Sequence, residues 1–301
     1  MDDELTGLLA TGERAAFHGR PAAGVAPLQR AVEVAHADGR DAEATAAAWL
    51  LGVCLGAAGR FGPAMSVLEP LAGHASSDPG RRLFSALAAS TLASLHRQLG
   101  RHAHARTLDE RALALSDGAP EALVDARLGL AADAVGLGEV DVAEAELAAA
   151  AALIETHPEW WRQQVRRDWV RAEVALLRDT PILAVEAAAA AVTRAEGSGA
   201  PRHVAKGLLF QGVALATAGD DEQAAATLAR AATLAESLGT LPLRWPSRAV
   251  LGALLAHSAP EESADCLAAA RDTVAAIAAD LPADLAEGWL ARPDVAALLE
   301  A

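Results

Sequence analysis

Seven short stretches rich in glycine, proline and polar residues punctuate the chain at near-constant spacing: "HADGRD" from 36, "SSDPG" from 76, "SDGAP" from 116, "THP" from 156, "GSGAP" from 197, "GTLP" from 239 and "DLP" from 280. Their starts lie 40, 40, 40, 41, 42 and 41 residues apart, the mark of a repeated supersecondary unit rather than of one globular core. Between successive loops stand two segments of helical apolar periodicity joined by a tight turn. Gly19, Gly59, Gly100, Gly138, Asp179, Gly219 and Ala259 mark the turns. Glycine supplies the left-handed conformation that ends a helix sharply, and aspartate tolerates it. The chain therefore reads as seven helical hairpins, with Ala259 the weakest match.

Two columns of small residues run through the repeats. Seven residues before the turn come Gly12, Gly52, Ala93, Ala131, Ala172, Gly212 and Gly252, and five after it Gly24, Ala64, Ala105, Ala143, Ala184, Ala224 and Ala264. Small residues at both places let paired helices approach closely. Four residues further on a leucine follows in Leu28, Leu68, Leu147 and Leu228, whereas Asp109 and Ala188 depart from the pattern. Leu267 falls one residue early, which predicts a last turn one residue shorter.

Composition agrees with an all-α protein. About a quarter of the residues are alanine, tyrosine is absent and Lys206 is the only lysine, a bias towards helix. Half the chain is apolar, enough for a large core. Cys54 and Cys266 are far apart and read as reduced core residues, so a cytoplasmic location is expected. The acidic start "MDDELTGLL" lacks the basic region of a signal peptide, and no apolar run is long enough to span a bilayer. A net charge of -15 argues against non-specific attachment to nucleic acid or anionic lipid.

The stretches "WLLGVCLGAAGRFGPAMSVLEPLA" (49 to 72) and "LLFQGVALATAGDDEQAAATLARAA" (208 to 232) resemble the tetratricopeptide repeat: a small residue in the first helix, glycine at the turn and alanine five residues on. The period here exceeds the usual 34, so the chain looks like a long-helix variety similar to arrays in bacterial signalling regulators. The resemblance covers essentially the whole chain. It implies an all-α, right-handed superhelical solenoid of about seven hairpins, at roughly 1-38, 39-78, 79-118, 119-157, 158-199, 200-240 and 241-281, with a C-terminal capping helix in 282-301. In the tail "LAEGWLARPDVAALLE" (285 to 300), Trp289 and Leu290 are expected to cover the open end.

The resemblance also implies that first helices line a concave groove, and it picks out the columns that face it. One column holds Trp49, Leu128, Trp169 and Leu209, a second Val53, Glu173 and Val213, and a third Arg97. Arg162 and Arg166 recur as Arg202 and Lys206 at a spacing of 40. Residues 158 to 209 carry eight basic and six acidic side chains, net +2, in an otherwise acidic chain. Two readings of these columns predict different solvent access for Trp49 and Trp169: a groove lining leaves them exposed, tight packing of long helices buries them. Trp160 and Trp161, at the loop junction, are expected to pack between repeats. As a groove, the face would take a protein or peptide, such as an amphipathic helix or hydrophobic segment with an acidic group, or a second copy of the chain.

Other chemistry is poorly represented. The family's lysine and asparagine clamp for a C-terminal carboxylate is missing, and the chain has no asparagine. "HAH" at 102 to 104 beside His96 does not place three ligands on one helix face, so no metal is expected. No glycine-rich phosphate loop, nucleophile elbow or His-Cys pair stands out, and no cofactor is implied. Glu173 beside Trp169 and Arg166 is the only constellation that suggests an acid or base. The expected function is a non-enzymatic adaptor or regulatory scaffold. The alternatives are a small-molecule or signal-peptide sensor resembling the effector domains of bacterial regulators, without a fused ATPase or DNA-binding domain, and an enzyme on a helical scaffold.

Overall fold

A computed structural model describes residues 2–73 and 78–300, and among them all regular structure is helical. The chain divides into two compact units, Met1–Gln163 and Gln164–Ala301. The first contains α1 (Asp2–His18), a 3-10 turn at Pro21–Gly24, α2 (Val25–Ala37), α3 (Asp41–Ala58), α4 (Phe61–Ala72), α5 (Pro79–Gln98), α6 (His102–Leu115), α7 (Pro120–Gly136) and α8 (Val140–Ile154). Helix α9 (Trp161–Leu177) runs across the division. The second unit continues with α10 (Pro181–Gly197), α11 (Pro201–Thr217), α12 (Asp221–Leu238), α13 (Leu241–Leu255), α14 (Pro260–Ala278), α15 (Ala283–Leu290) and α16 (Pro293–Glu300). No described helix is long and apolar enough to cross a membrane.

Within each unit every helix packs on the next, and odd-numbered helices also pack on one another, as in α1·α3, α3·α5, α5·α7 and α11·α13. This double neighbour relation is what a stack of helical hairpins requires. Proline opens α5, α7, α10, α11 and α14, where its missing N–H costs nothing. The loop expected at "SSDPG" falls partly outside the described residues, at Ser76 and Ser77; from Asp78 onward the side chain caps α5 by accepting from the Arg81 backbone N–H at 2.8 Å.

Five of the seven turn residues adopt the left-handed conformation, including Asp179 at φ 56, the one non-glycine to do so among the described residues. Gly19 and Ala259 do not. Gly19 leads into the 3-10 turn, and Ala259 is extended at φ -145 because Pro260 follows it.

The small-residue column is a row of sockets. A Cβ on Gly212 would stand 2.5 Å from Leu228 Cγ, one on Gly52 the same distance from Leu68, and one on Gly252 2.8 Å from Leu267. In these hairpins the leucine of the second helix therefore seats on the bare backbone of its first helix. In the last hairpin Ser263, not Ala264, is the buried small residue, and its hydroxyl donates to Gly252 O at 2.7 Å. This one-residue offset matches the early Leu267. Gly212→Ala should lower stability by about 1–3 kcal/mol in urea denaturation, because fully buried Leu228 has to leave its rotamer; a gain in stability, as helix propensity alone would give, would contradict the socket.

The closing segment is two short helices rather than one, interrupted before Pro293. Trp289 is buried edge-on against Trp245, ring centroids 6.2 Å apart, while Leu290 is half-buried. Helix α16 packs on α14 through Val295 and Leu298.

Candidate binding face of the first helices

In the first unit the sequence columns lead largely into the interior. Trp49 is 7% exposed, which is the tight-packing outcome. Its ring lies between Phe17 and Phe84, at 6.3 and 5.6 Å, and its indole N–H donates to Thr91 Oγ1 at 3.0 Å. The aromatic ladder thus joins α1, α3 and α5 with its polar atom satisfied. Leu128 is buried with Val124 and Ile154, against which Trp160 also packs. Trp160 stacks on His157 at 3.8 Å, and Trp161 lies 5.6 Å from His18. Val53 stays half-buried on α3.

Arg97 and Arg162 are committed to internal ion pairs. The Arg162 guanidinium donates to Asp125 Oδ2 at 2.6 Å and Glu121 Oε1 at 3.2 Å, and stands 5.7 Å from the Phe17 ring. Arg97 Nη1 donates to Asp109 Oδ2 at 2.9 Å, to Asp133 Oδ1 at 2.5 Å and to Gly129 O at 3.1 Å. Asp109 and Asp133 are fully buried, so one cation serves two carboxylates out of reach of water. Burial pushes Asp109 up to about 7 against the pull of Arg97, with Asp133 adding to the rise, and burial raises Asp133 as well. Asp109 is the residue that broke the leucine column. It points instead at α7, where only the absence of a side chain at Gly129 leaves room for its carboxylate.

The second unit brings more of the expected residues together. Trp169 is 6% exposed, the same tight-packing outcome as Trp49 and not the exposure expected of a groove lining, and stacks on His203 at 5.4 Å, with the rings 15° apart. Lys206 Nζ stands 4.5 Å from the Trp169 ring centroid and 5.4 Å from that of Phe210, within cation–π range of both. Arg166, Glu173, Arg202, Lys206 and Val213 are half-buried, whereas Leu209, expected at the groove, packs against the core residues Leu228, Leu243 and Leu251 between α11, α12 and α13. The indole N–H of Trp169, unlike that of Trp49, has no hydrogen-bond partner among the described residues. Beside it Asp168 is fully buried and held by Arg167 (2.7 Å), Arg194 (2.9 Å) and Arg171 (3.6 Å).

The sequence columns name Trp169 and Lys206, which the structure places in contact, but not the neighbouring His203 and Phe210 or the burial of Asp109, Asp125, Asp133 and Asp168 against arginines. The usable signal was an aspartate in a column of leucines, with arginine twelve residues before it. Near "HAH", His96 and His104 meet edge-on at 4.3 Å, and burial, then the neighbouring His104 and Arg101, push His96 down to about 4. No metal-binding group of three His, Cys, Asp or Glu occurs among the described residues. An open cleft of about 380 Å³ lined by residues 100–104 with Gly136 and Leu137 lies beside them.

The architecture is that of a tetratricopeptide-like helical repeat. A solved structure described as Rap protein complexed with competence and sporulation factor is similar over 99% of this chain and 86% of that chain, with a TM-score of 0.68 and 11% sequence identity. No protein-family model matches the chain, and no curated protein does.

Proposed function

We propose that this protein is a binding adaptor or regulatory scaffold that holds a protein or peptide segment on its first helices, chiefly those of the second unit. The observation that carries this reading is the half-buried stripe Arg202, Lys206 and Val213 on α11, whose Lys206 ammonium stands over the rings of Trp169 and Phe210. A similar fold occurs in the Rap protein complex with its bound factor, which supports a binding role. Repeat arrays suit such a role because each hairpin adds surface without altering its neighbours. Cys54 and Cys266 are both buried free thiols, in keeping with a reducing, cytoplasmic setting.

The test is selection of a random dodecapeptide display library on the immobilised full chain, followed by fluorescence anisotropy with the enriched sequences. Enrichment of related sequences with micromolar or better affinity is expected. No enrichment above blank resin would overturn the adaptor reading.

A further inference from the structure

In the first unit the buried carboxylates share their arginines: the guanidinium of Arg97 serves Asp109 and Asp133, and that of Arg162 divides between Asp125 and Glu121. In the second unit the ratio is inverted. Fully buried Asp168 is met by three arginines, Arg167 and Arg171 of α9 and Arg194 of α10. One of them is enough to neutralise it. Arg167 donates to Asp168 Oδ1 from both Nε and Nη2, at 2.9 and 2.7 Å, and is itself mostly buried. Arg171 and Arg194 are then surplus, because among the described residues neither has another carboxylate within ion-pair distance. Glu196, the nearest acid along α10, is held by Arg230 at 2.6 Å.

Both surplus side chains reach water, Arg171 at 54% exposure and Arg194 at 44%, while their heads converge on the same carboxylate from different helices. Arg194 is fixed through Nε to Asp168 Oδ2 and through Nη1 to Gln164 Oε1, each at 2.9 Å, which leaves Nη2 for an incoming acceptor. Arg171 Nη1 stands 3.6 Å from Asp168 Oδ1, too far for a hydrogen bond, so the donors of its guanidinium fork are open to a second acceptor. A buried base that already orients Arg194 leaves less side-chain ordering for binding to impose.

We propose that Arg171 and Arg194, with Arg167 and Asp168 as their buried base, form a binding site for a phosphomonoester dianion on the α9 and α10 hairpin. Guanidinium forks suit phosphoryl oxygens because two N–H groups can donate in parallel. A phosphomonoester carries about -1.5 to -2 charges at pH 7 on three acceptor oxygens, which matches two surplus cations. A carboxylate or a sulfate ester brings a single charge and leaves one arginine uncompensated. The site uses none of the residues of the Lys206 stripe, and it stands whether or not a segment occupies the first helices.

Saturation-transfer NMR on the aromatic protons of phenyl phosphate, titrated into the full chain, tests the site directly. Phenyl phosphate should bind about tenfold tighter than phenyl sulfate or benzoate, and its affinity should fall as salt is raised. Arg171→Gln and Arg194→Gln should each weaken it about tenfold with helical circular dichroism unchanged, whereas Arg230→Gln, which loses only the exposed pair with Glu196, should stay within about twofold. The comparison of the three phenyl ligands uses the unaltered chain, so it holds even where a variant folds poorly. Displacement of phenyl phosphate separates the sources of the group: a phosphoserine peptide competing about tenfold better than inorganic phosphate places it on a partner segment, and equal competition places it on a free small molecule. Equal affinity for phenyl phosphate and phenyl sulfate, binding that both arginine variants leave intact, or no saturation transfer at millimolar phenyl phosphate would each refute the site.

Discussion

Replacing Arg97 with methionine should destabilise the protein by about 3–5 kcal/mol at pH 7, the cost of stranding a buried charge. Asp109 and Asp133 are both fully buried, and Arg97 is the cation that bonds each of them. Methionine fills much of the same volume but donates nothing, so the buried carboxyl groups of α6 and α7 lose their counter-charge and hydrogen bonds, and Asp109 must take up a proton to remain buried. The triple variant Arg97→Met, Asp109→Asn, Asp133→Asn should recover a large part of the loss, because neutral amides need no counter-charge. Urea denaturation followed by circular dichroism reads both. A loss below about 1 kcal/mol in the single variant would mean that water reaches the cluster, since that is the range of exposed ion pairs.

Asp109 itself should make stability depend on pH in the opposite sense to an ordinary paired carboxylate. Its folded value of about 7 lies above the unfolded 3.8, so between those values the folded state binds the extra proton. The stabilising contribution is fully present below about pH 4 and is lost as pH rises through the folded value of about 7. The groups that face it are Arg97 of α5, Ser90 of the same helix, and Asp133 of α7, which is itself influenced by Arg106 of α6. Other carboxylates act the other way; Glu43, for example, is lowered by its hydrogen bond from Arg40. The clean readout is therefore the difference between the native chain and Asp109→Asn. That difference should narrow steadily from pH 7 to pH 4.5, and a pH-independent difference would show that Asp109 stays ionised.

The hairpin repeat was legible in sequence because loops, turn glycines and small residues obey local backbone rules. Asp179 was read correctly for the same reason: a left-handed turn is specified by one residue and its neighbours. Ala259 was a weak match because Pro260 replaces that turn with an extended residue. The candidate face was less legible, because a column shared by seven helices does not say how deeply each helix packs. Trp49 and Trp169 occupy equivalent places, yet Trp49 is sealed by Phe17, Phe84 and Thr91, while Trp169 meets His203 and Lys206. Arg162 looked like the partner of Arg202, and the difference lies in Asp125, which sits one repeat earlier and captures Arg162. Long-range pairings of this kind depend on which residues neighbouring repeats present, and a single repeat does not encode them.

The central claim is that a bound segment occupies the first helices of the second unit. Hydrogen exchange of the full chain with and without a saturating, library-selected dodecapeptide tests it most directly. Slowed exchange is expected in α9, α11 and α13, with α10, α12 and α14 unchanged. Protection confined to the second helices, or spread evenly over both layers, would contradict it.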